Sequence, residues 1–80
     1  MFSKELFGQR LFGLRKQNHE TQTDLGNILG LAKGRVSDME NGKNTTTIEN
    51  VVKICEHYKV SADYLFGFTD NPKPKGWKNR

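Results

Sequence analysis

A single cysteine, Cys55, rules out an internal disulfide, and two histidines, His19 and His57, are too few to join it in a C-x-x-C or H-x-x-x-H zinc cluster. Both prolines, Pro72 and Pro74, fall in the last nine residues, so nothing earlier is broken by proline. The longest nearly apolar stretches, Ile28 to Ala32 and Tyr64 to Phe68, run for five residues and each contains a glycine, against the ~20 that a bilayer span requires. The charged start Met1-Phe2-Ser3-Lys4-Glu5 leads into no apolar run, so no export signal is expected and the chain is expected to reside in the cytoplasm. Strand-length alternation, internal repeats and low-complexity runs are missing too. What remains is enough for one small core: 80 residues, 34% hydrophobic and 28% charged, predict a single globular domain with no room for a two-domain enzyme.

The formal charge of +4 invites a polyanionic partner, but its distribution weakens the inference. Lys73, Lys75, Lys78 and Arg80 face only Asp70 within residues 69–80, so most of the excess belongs to a basic C-terminal tail, read as extended and flexible. Residues 1–68 are close to neutral.

Caps divide those residues into five helices. Ser3 caps a helix over 4–17, with Phe2 and Phe7 as a hydrophobic staple and Leu6, Phe7, Leu11 and Leu14 on one stripe. Gly8 and Gly13 each weaken it by ~1 kcal/mol relative to Ala, so packing must hold it. Thr21-Gln22-Thr23-Asp24 has the form of a capping box opening a second helix that Gly30 stops. A third helix, 33–41, ends at Asn41-Gly42. Thr47 caps a fourth, 48–58, for which the spacing predicts an inner face of Ile48, Val51, Val52 and Cys55; Ser61 caps a short fifth, 62–66, ending at Gly67. The fold expected is all-α, a compact five-helix bundle.

Residues 21–42 are the most informative. Two short helices are joined by a three-residue turn around Gly30, and Gly26 provides the small volume that close crossing of the second and third helices needs. On a helical wheel Ala32, Val36, Met39 and Glu40 fall to one side of the third helix. Lys33, Gly34, Ser37, Asp38 and Asn41 fall to the other, an arc ~140° wide without an apolar side chain, with Arg35 on its flank. Such a face is narrow enough to enter a DNA major groove ~12 Å wide and carries donors and acceptors for base edges. The wheel by itself fits an ordinary solvated face equally well.

Several motifs in order decide between the two. Leu14-Arg15, Thr21-Gln22 before Asp24-Leu25-Gly26, Gly30, Val36-Ser37, Glu40-Asn41-Gly42-Lys43 and Val60-Ser61-Ala62-Asp63-Tyr64-Leu65-Phe66-Gly67 together resemble the Cro/Xre-type phage-repressor family of helix-turn-helix DNA-binding domains, from Arg10 through Gly67 without a gap. The resemblance implies a lambda-repressor-like domain over residues 1–68, with residues 69–80 as the tail. It further implies that the helix beginning at Lys33 lies in the major groove, with Lys33, Gly34, Ser37 and Asp38 facing bases. Gln22, Asn41 and Lys43, with Asn44 and Thr45 of the polar loop Lys43–Thr47, would grip phosphates, flanked by Thr21 and Arg35. Arg15 and Glu40 correspond to a family ion pair that would set the working angle of the recognition helix; the bland alternative is a surface pair worth ~0–1 kcal/mol.

The chain departs from the family at Ala32, where Ser or Thr commonly caps the third helix, an omission that costs about 1 kcal/mol. Gly34 removes a side chain from a usual reading position, either admitting a thymine methyl or reading nothing there. Asp38 either accepts from a cytosine amino group or rejects other bases. The small Gly26 stands where the family often has Ala. Away from the motif, His19 is most simply solvated and Cys55 packed in the core. Tyr64, Phe66 and Phe68 either close the core over the first helix or pair two subunits, and Trp77 suggests docking on a partner subunit or a link to a second domain. The function expected is a sequence-specific transcriptional regulator, a homodimeric repressor occupying a palindromic operator in duplex DNA. It would need no cofactor or metal, perform no catalysis and associate with the nucleoid. Two rivals remain, an antitoxin-type protein-interaction module of the same fold and a non-specific binder acting through its tail.

Overall fold

The Ser3 hydroxyl accepts the Leu6 amide proton and so opens the first helix, α1 (Lys4–Gln17), in a computed structural model that describes residues 2–73. Phe2 crosses that cap to meet Phe7, ring centroids 6.1 Å apart, as the staple expected. Thr21 and Asp24 close a reciprocal capping box that opens α2 (Gln22–Leu29), which Gly30 ends at φ 70°. A turn of Gly30, Leu31 and Ala32 leads to α3 (Lys33–Glu40), the one helix whose preceding residue provides no side-chain cap. Thr47 caps α4 (Ile48–Tyr58) through the Asn50 amide, and Ser61 caps α5 (Ala62–Phe66) through Tyr64. Five helices and no strand make up the described residues.

Phe7, Leu11 and Leu14 of α1 meet Leu25 and Leu29 of α2, Val36 and Met39 of α3, Ile54 of α4 and Leu65 of α5 in one core. The inner face of α4 differs from the one its spacing predicts. Ile48 is 72% and Val52 48% exposed and Cys55 is half-buried, while Asn50, Val51, Ile54 and Tyr58 turn inward. Two polar groups explain the rotation. The Asn50 amide donates to the Thr46 hydroxyl and the Tyr58 hydroxyl donates to Glu20, so both residues are satisfied inside and carry the buried stripe round with them. Ala32, placed by the wheel beside Val36 and Met39, is exposed, because it precedes the part of α3 that packs.

Gly8 and Gly13, which propensity treats alike, do different things. A Cβ on Gly8 would lie 2.4 Å from the Met39 carbonyl oxygen and 2.7 Å from that of Glu40, so the last turn of α3 rests on the backbone of α1. A Cβ on Gly13 would meet nothing within 4 Å. Gly26 makes room chiefly for the turn, since its Cβ would come 2.4 Å from the Leu31 carbonyl oxygen and only 3.6 Å from Val36 of α3.

The packed unit extends past residue 68, where the tail was expected to begin. The Arg10 guanidinium stacks 4.2 Å from the Tyr64 ring centroid and donates to the carbonyls of Tyr64 and Thr69 and to the Asp70 carboxylate. The Ser61 amide donates to the Pro72 carbonyl at 2.9 Å. One forked side chain thus bridges the end of α5 to Thr69 and Asp70, and the Ser61 amide holds Pro72, so residues 69–72 are tied to the domain. Pro74, Lys75, Trp77, Lys78 and Arg80 lie outside the described residues.

Gly8→Ala is expected to lower the unfolding free energy by about 2–3 kcal/mol, because carbonyl backbone cannot give way as a side chain can. Gly13→Ala is expected to raise it by about 0.5–1 kcal/mol through helix propensity and a less flexible unfolded chain. Urea denaturation of the two variants checks both; equal effects would show that α3 does not rest on Gly8.

Candidate nucleic-acid interface

The two sides of α3 separate as the wheel divides its central residues. Val36 and Met39 are fully buried, whereas Lys33, Gly34, Arg35 and Asn41 are exposed and Ser37 and Asp38 half-buried. A Cβ on Gly34 would meet no other part of the chain within 4 Å beyond its own neighbours and helix backbone, so the position is open to solvent. Lys33, Gly34, Ser37 and Asp38 therefore share one accessible strip, with Arg35 beside it.

What fixes this strip in space is a buried carboxylate. Glu40, at the last position of α3, receives Arg15 in a forked pair: Nε to Oε2 at 2.7 Å and Nη2 to Oε1 at 3.0 Å, the side chains only 6% and 4% exposed. The remaining Nη1 of Arg15 donates to the Glu20 carbonyl at 2.7 Å. The hydrogen bond to Glu40 raises the Arg15 pKa, against an opposing effect of burial. A surface ion pair is excluded by that burial; this is a paired interior charge in the geometry that best offsets desolvation.

Gln22, expected on the phosphate-gripping surface, also reaches Glu40, with Nε2 donating to Oε1 at 3.1 Å, and is half-buried. As the first residue of α2 it thereby ties that helix to the end of α3. Its neighbour Thr21 is exposed and occupied by the capping box, donating its amide to Asp24 Oδ2 at 2.9 Å and accepting the Asp24 amide at 3.0 Å. Asn41 donates to Ser37 Oγ at 3.4 Å, linking the end of α3 to its exposed strip. Gly42 follows in the left-handed region at φ 77°, packed against Glu5, and the Lys43 amide donates to the Asp38 carbonyl at 2.9 Å. Lys43 and Asn44 project from this turn into solvent. Thr45, grouped with them in the sequence, borders an apolar groove of Phe2, Phe7, Ile48, Val51 and Phe66.

One cluster escaped the sequence. The Glu20 carboxylate receives the Tyr58 hydroxyl and faces His57 Nε2, pinning the loop between α1 and α2 to the end of α4. Burial first, then the Glu20 hydrogen bond, push the Tyr58 pKa upward and keep its hydroxyl protonated. The partners are 37 and 38 residues apart, and no local pattern announces such a contact.

Residues 13–65 match the Helix-turn-helix family. The chain is 34% identical, over 88% of its length and 62% of the relative's, to the uncharacterized HTH-type transcriptional regulator YobD of Bacillus subtilis. It is 32% identical to the cryptic phage CTXphi transcriptional repressor RstR of Vibrio cholerae over 74% of this chain and 53% of that one. Antitoxin PezA of Streptococcus pneumoniae is 30% identical over 70% of this chain and 35% of its own. The chain thus spans less than two thirds of each of these relatives. Among solved structures, the P22 c2 repressor protein in complex with a synthetic operator superposes with a TM-score of 0.70 at 27% identity, covering 75% of this chain and 91% of that one.

Removing one half of the buried pair by Arg15→Ala is expected to lower the unfolding free energy by about 3–5 kcal/mol, since an unpaired carboxylate stays behind. Replacing both members, Arg15→Met with Glu40→Leu, is expected to lose much less, and equilibrium denaturation compares the two. A pH effect follows from Asp24, whose pKa the Thr21 amide and then the Thr21 hydroxyl lower below its ordinary 3.8. A lowered folded-state value gives stability that is present above 3.8 and lost as pH falls through the lowered value. Asp24→Asn should therefore flatten the acid limb of the stability curve below about pH 4, as read by thermal melts across pH; an unchanged limb would contradict the capping box.

Proposed function

The chain belongs to the Helix-turn-helix family, and from that membership we propose that it is a sequence-specific DNA-binding transcriptional regulator that represses by occupying an operator. The observation that carries this reading is the exposed polar strip of α3, held rigid from behind by the Arg15–Glu40–Gln22 cluster while Val36 and Met39 bury its other side. That the P22 c2 repressor, of similar fold, was solved in complex with a synthetic operator supports a DNA-binding reading. Lys33, Ser37 and Asp38 read base edges in the major groove, and Gly34 lets the backbone approach them. Lys43 and Asn44, with Asn41, Gln22 and Thr45 at the margins, hold the strand on either side, and Thr21 and Arg35 flank the contact. The protein acts by occupancy and not by chemistry, in the cytoplasm and on the nucleoid.

Two copies bind a palindromic site, half-sites ~34 Å apart. Exposed Ile48, Val52 and Phe68 offer apolar surface for the second copy, whereas Tyr64 is already engaged by Arg10. Selection of bound duplexes from a random pool tests the reading. A recovered palindrome supports specificity and dimer symmetry together. Failure to retain any duplex at physiological salt, with a co-purified protein covering the Lys33 face, would favour an antitoxin-type module instead.

The division of labour between the two lysines is measurable. Lys43→Ala is expected to weaken binding to every sequence alike and to lower the slope of log affinity against log salt by about 1. Lys33→Ala is expected to change which bases are preferred. Salt titrations and repeated selection with both variants distinguish them, and identical behaviour would refute the assignment.

A further inference from the structure

We propose that a shallow recess beside α3, bounded by Gln9, Phe12, Gln22 and Asn41, seats one deoxyribose-phosphate of the bound strand, with the Phe12 ring against the sugar; this rests on the DNA-binding reading and adds to it a backbone contact made by an apolar side chain.

The recess opens where α1, the first turn of α2 and the end of α3 converge, and encloses about 330 Å³. Its remaining lining residue, Glu40, would repel a phosphate if its carboxylate were free. Both of its oxygens are occupied, Oε2 by Arg15 Nε and Oε1 by Arg15 Nη2 and Gln22 Nε2, so the wall is neutralised. The rim offers three carboxamides, from Gln9, Gln22 and Asn41. Asn41 is bonded to Ser37, which makes the recess continuous with the exposed strip of α3.

Phe12 is the unexplained member. It is 44% exposed, on the same helix whose Phe7 is 1% exposed, and it contributes nothing to the core. The Lys16 ammonium lies 5.7 Å from its centroid, and the Arg15 guanidinium carbon, 5.3 Å away, belongs to the buried pair with Glu40, which leaves Lys16 as the exposed cation beside the ring. An exposed ring with one ammonium beside it and carboxamides at its border suits a ligand that is anionic at one end and apolar on one face. Inorganic phosphate would leave the ring unused, and an apolar peptide would leave the Lys16 ammonium and the carboxamides unused. A sugar-phosphate uses both, and phosphate contacts of this kind fix a protein's register on the strand.

The test uses the full chain with two probes, a duplex selected from a random pool and a random-sequence duplex of the same length. Phe12→Ala is expected to weaken binding to both by the same factor, roughly five- to tenfold, the scale of covering about half of an aromatic side chain. No charge is removed, so the salt slope and base preference should stay as in the wild type. Hydroxyl-radical footprinting should lose protection at one sugar per half-site and nowhere else. Phe12→Leu, which keeps apolar bulk, should lose less affinity and weaken protection at the same sugar; it carries the test if the alanine variant melts below the assay temperature. Wild-type affinity with an unchanged footprint in the variants would overturn the proposal and leave the regulator reading standing, as would loss of a protein partner with DNA binding intact. If the wild type itself retains neither duplex, the regulator reading falls and takes this contact with it.

Discussion

The Glu40 carboxylate is the group on which the arrangement of the first three helices depends. It comes from the last turn of α3, is met by a forked guanidinium from α1 and is bonded again by the first side chain of α2. A carboxylate so deeply buried is expensive to desolvate, and only a full set of donors makes the position tolerable. That demand is directional. The Arg15 fork accepts a carboxylate only within a narrow range of positions and angles, and α3 is short enough that fixing its end largely fixes its axis. An apolar contact here would have been at least as stabilising but would have allowed the helix to roll and slide, because hydrophobic attraction has no preferred direction. For a helix whose outward side chains must meet a partner in register, orientation matters more than strength.

Backbone packing reinforces the same constraint from the other side. The carbonyls of Met39 and Glu40 sit against Gly8, and the Leu31 carbonyl sits against Gly26, so both ends of the turn-and-helix unit touch backbone where a single methyl would intrude. Helices of eight residues have little intrinsic stability, and α3 lacks even a side-chain N-cap. Their order comes from close approach and from the burial of Leu25, Leu29, Val36 and Met39. Two further tethers steady the periphery: Glu20 with His57 and Tyr58 fastens the loop before α2 to α4, and Arg10 fastens Thr69 and Asp70 to the end of α5. Every buried side-chain nitrogen and oxygen among the described residues has a hydrogen-bond partner, which is why a core this small can contain Arg15, Glu40 and Asn50.

The exposed surface sorts into regions of different chemistry. The strip of Lys33, Gly34, Ser37 and Asp38 is polar, the Phe12 recess beside it is aromatic with carboxamides and the Lys16 ammonium near it, and the outer side of α4 leaves Ile48 and Val52 in solvent. In the proposed reading the modest charge of residues 1–68 is no obstacle to binding a polyanion, because the exposed Lys16, Lys33, Arg35 and Lys43 would act on a strand locally.

The amino-acid sequence determined the helix boundaries, because caps act over three or four residues: Ser3, the Thr21–Asp24 box, Thr47 and Ser61 all do what their spacing implies. It determined as well that Val36 and Met39 oppose Lys33 and Ser37 on α3, a consequence of helical geometry alone. The Arg15–Glu40 pairing was legible only through family resemblance. Which way α4 faces, whether Gly8 weakens α1 or admits α3, and that Gln22 turns toward a carboxylate were decided by the tertiary structure. Each depends on partners far along the chain, Gly8 on Met39, Gln22 on Glu40 and Tyr58 on Glu20, and periodicity cannot distinguish a polar residue facing water from one whose hydrogen bond is satisfied inside.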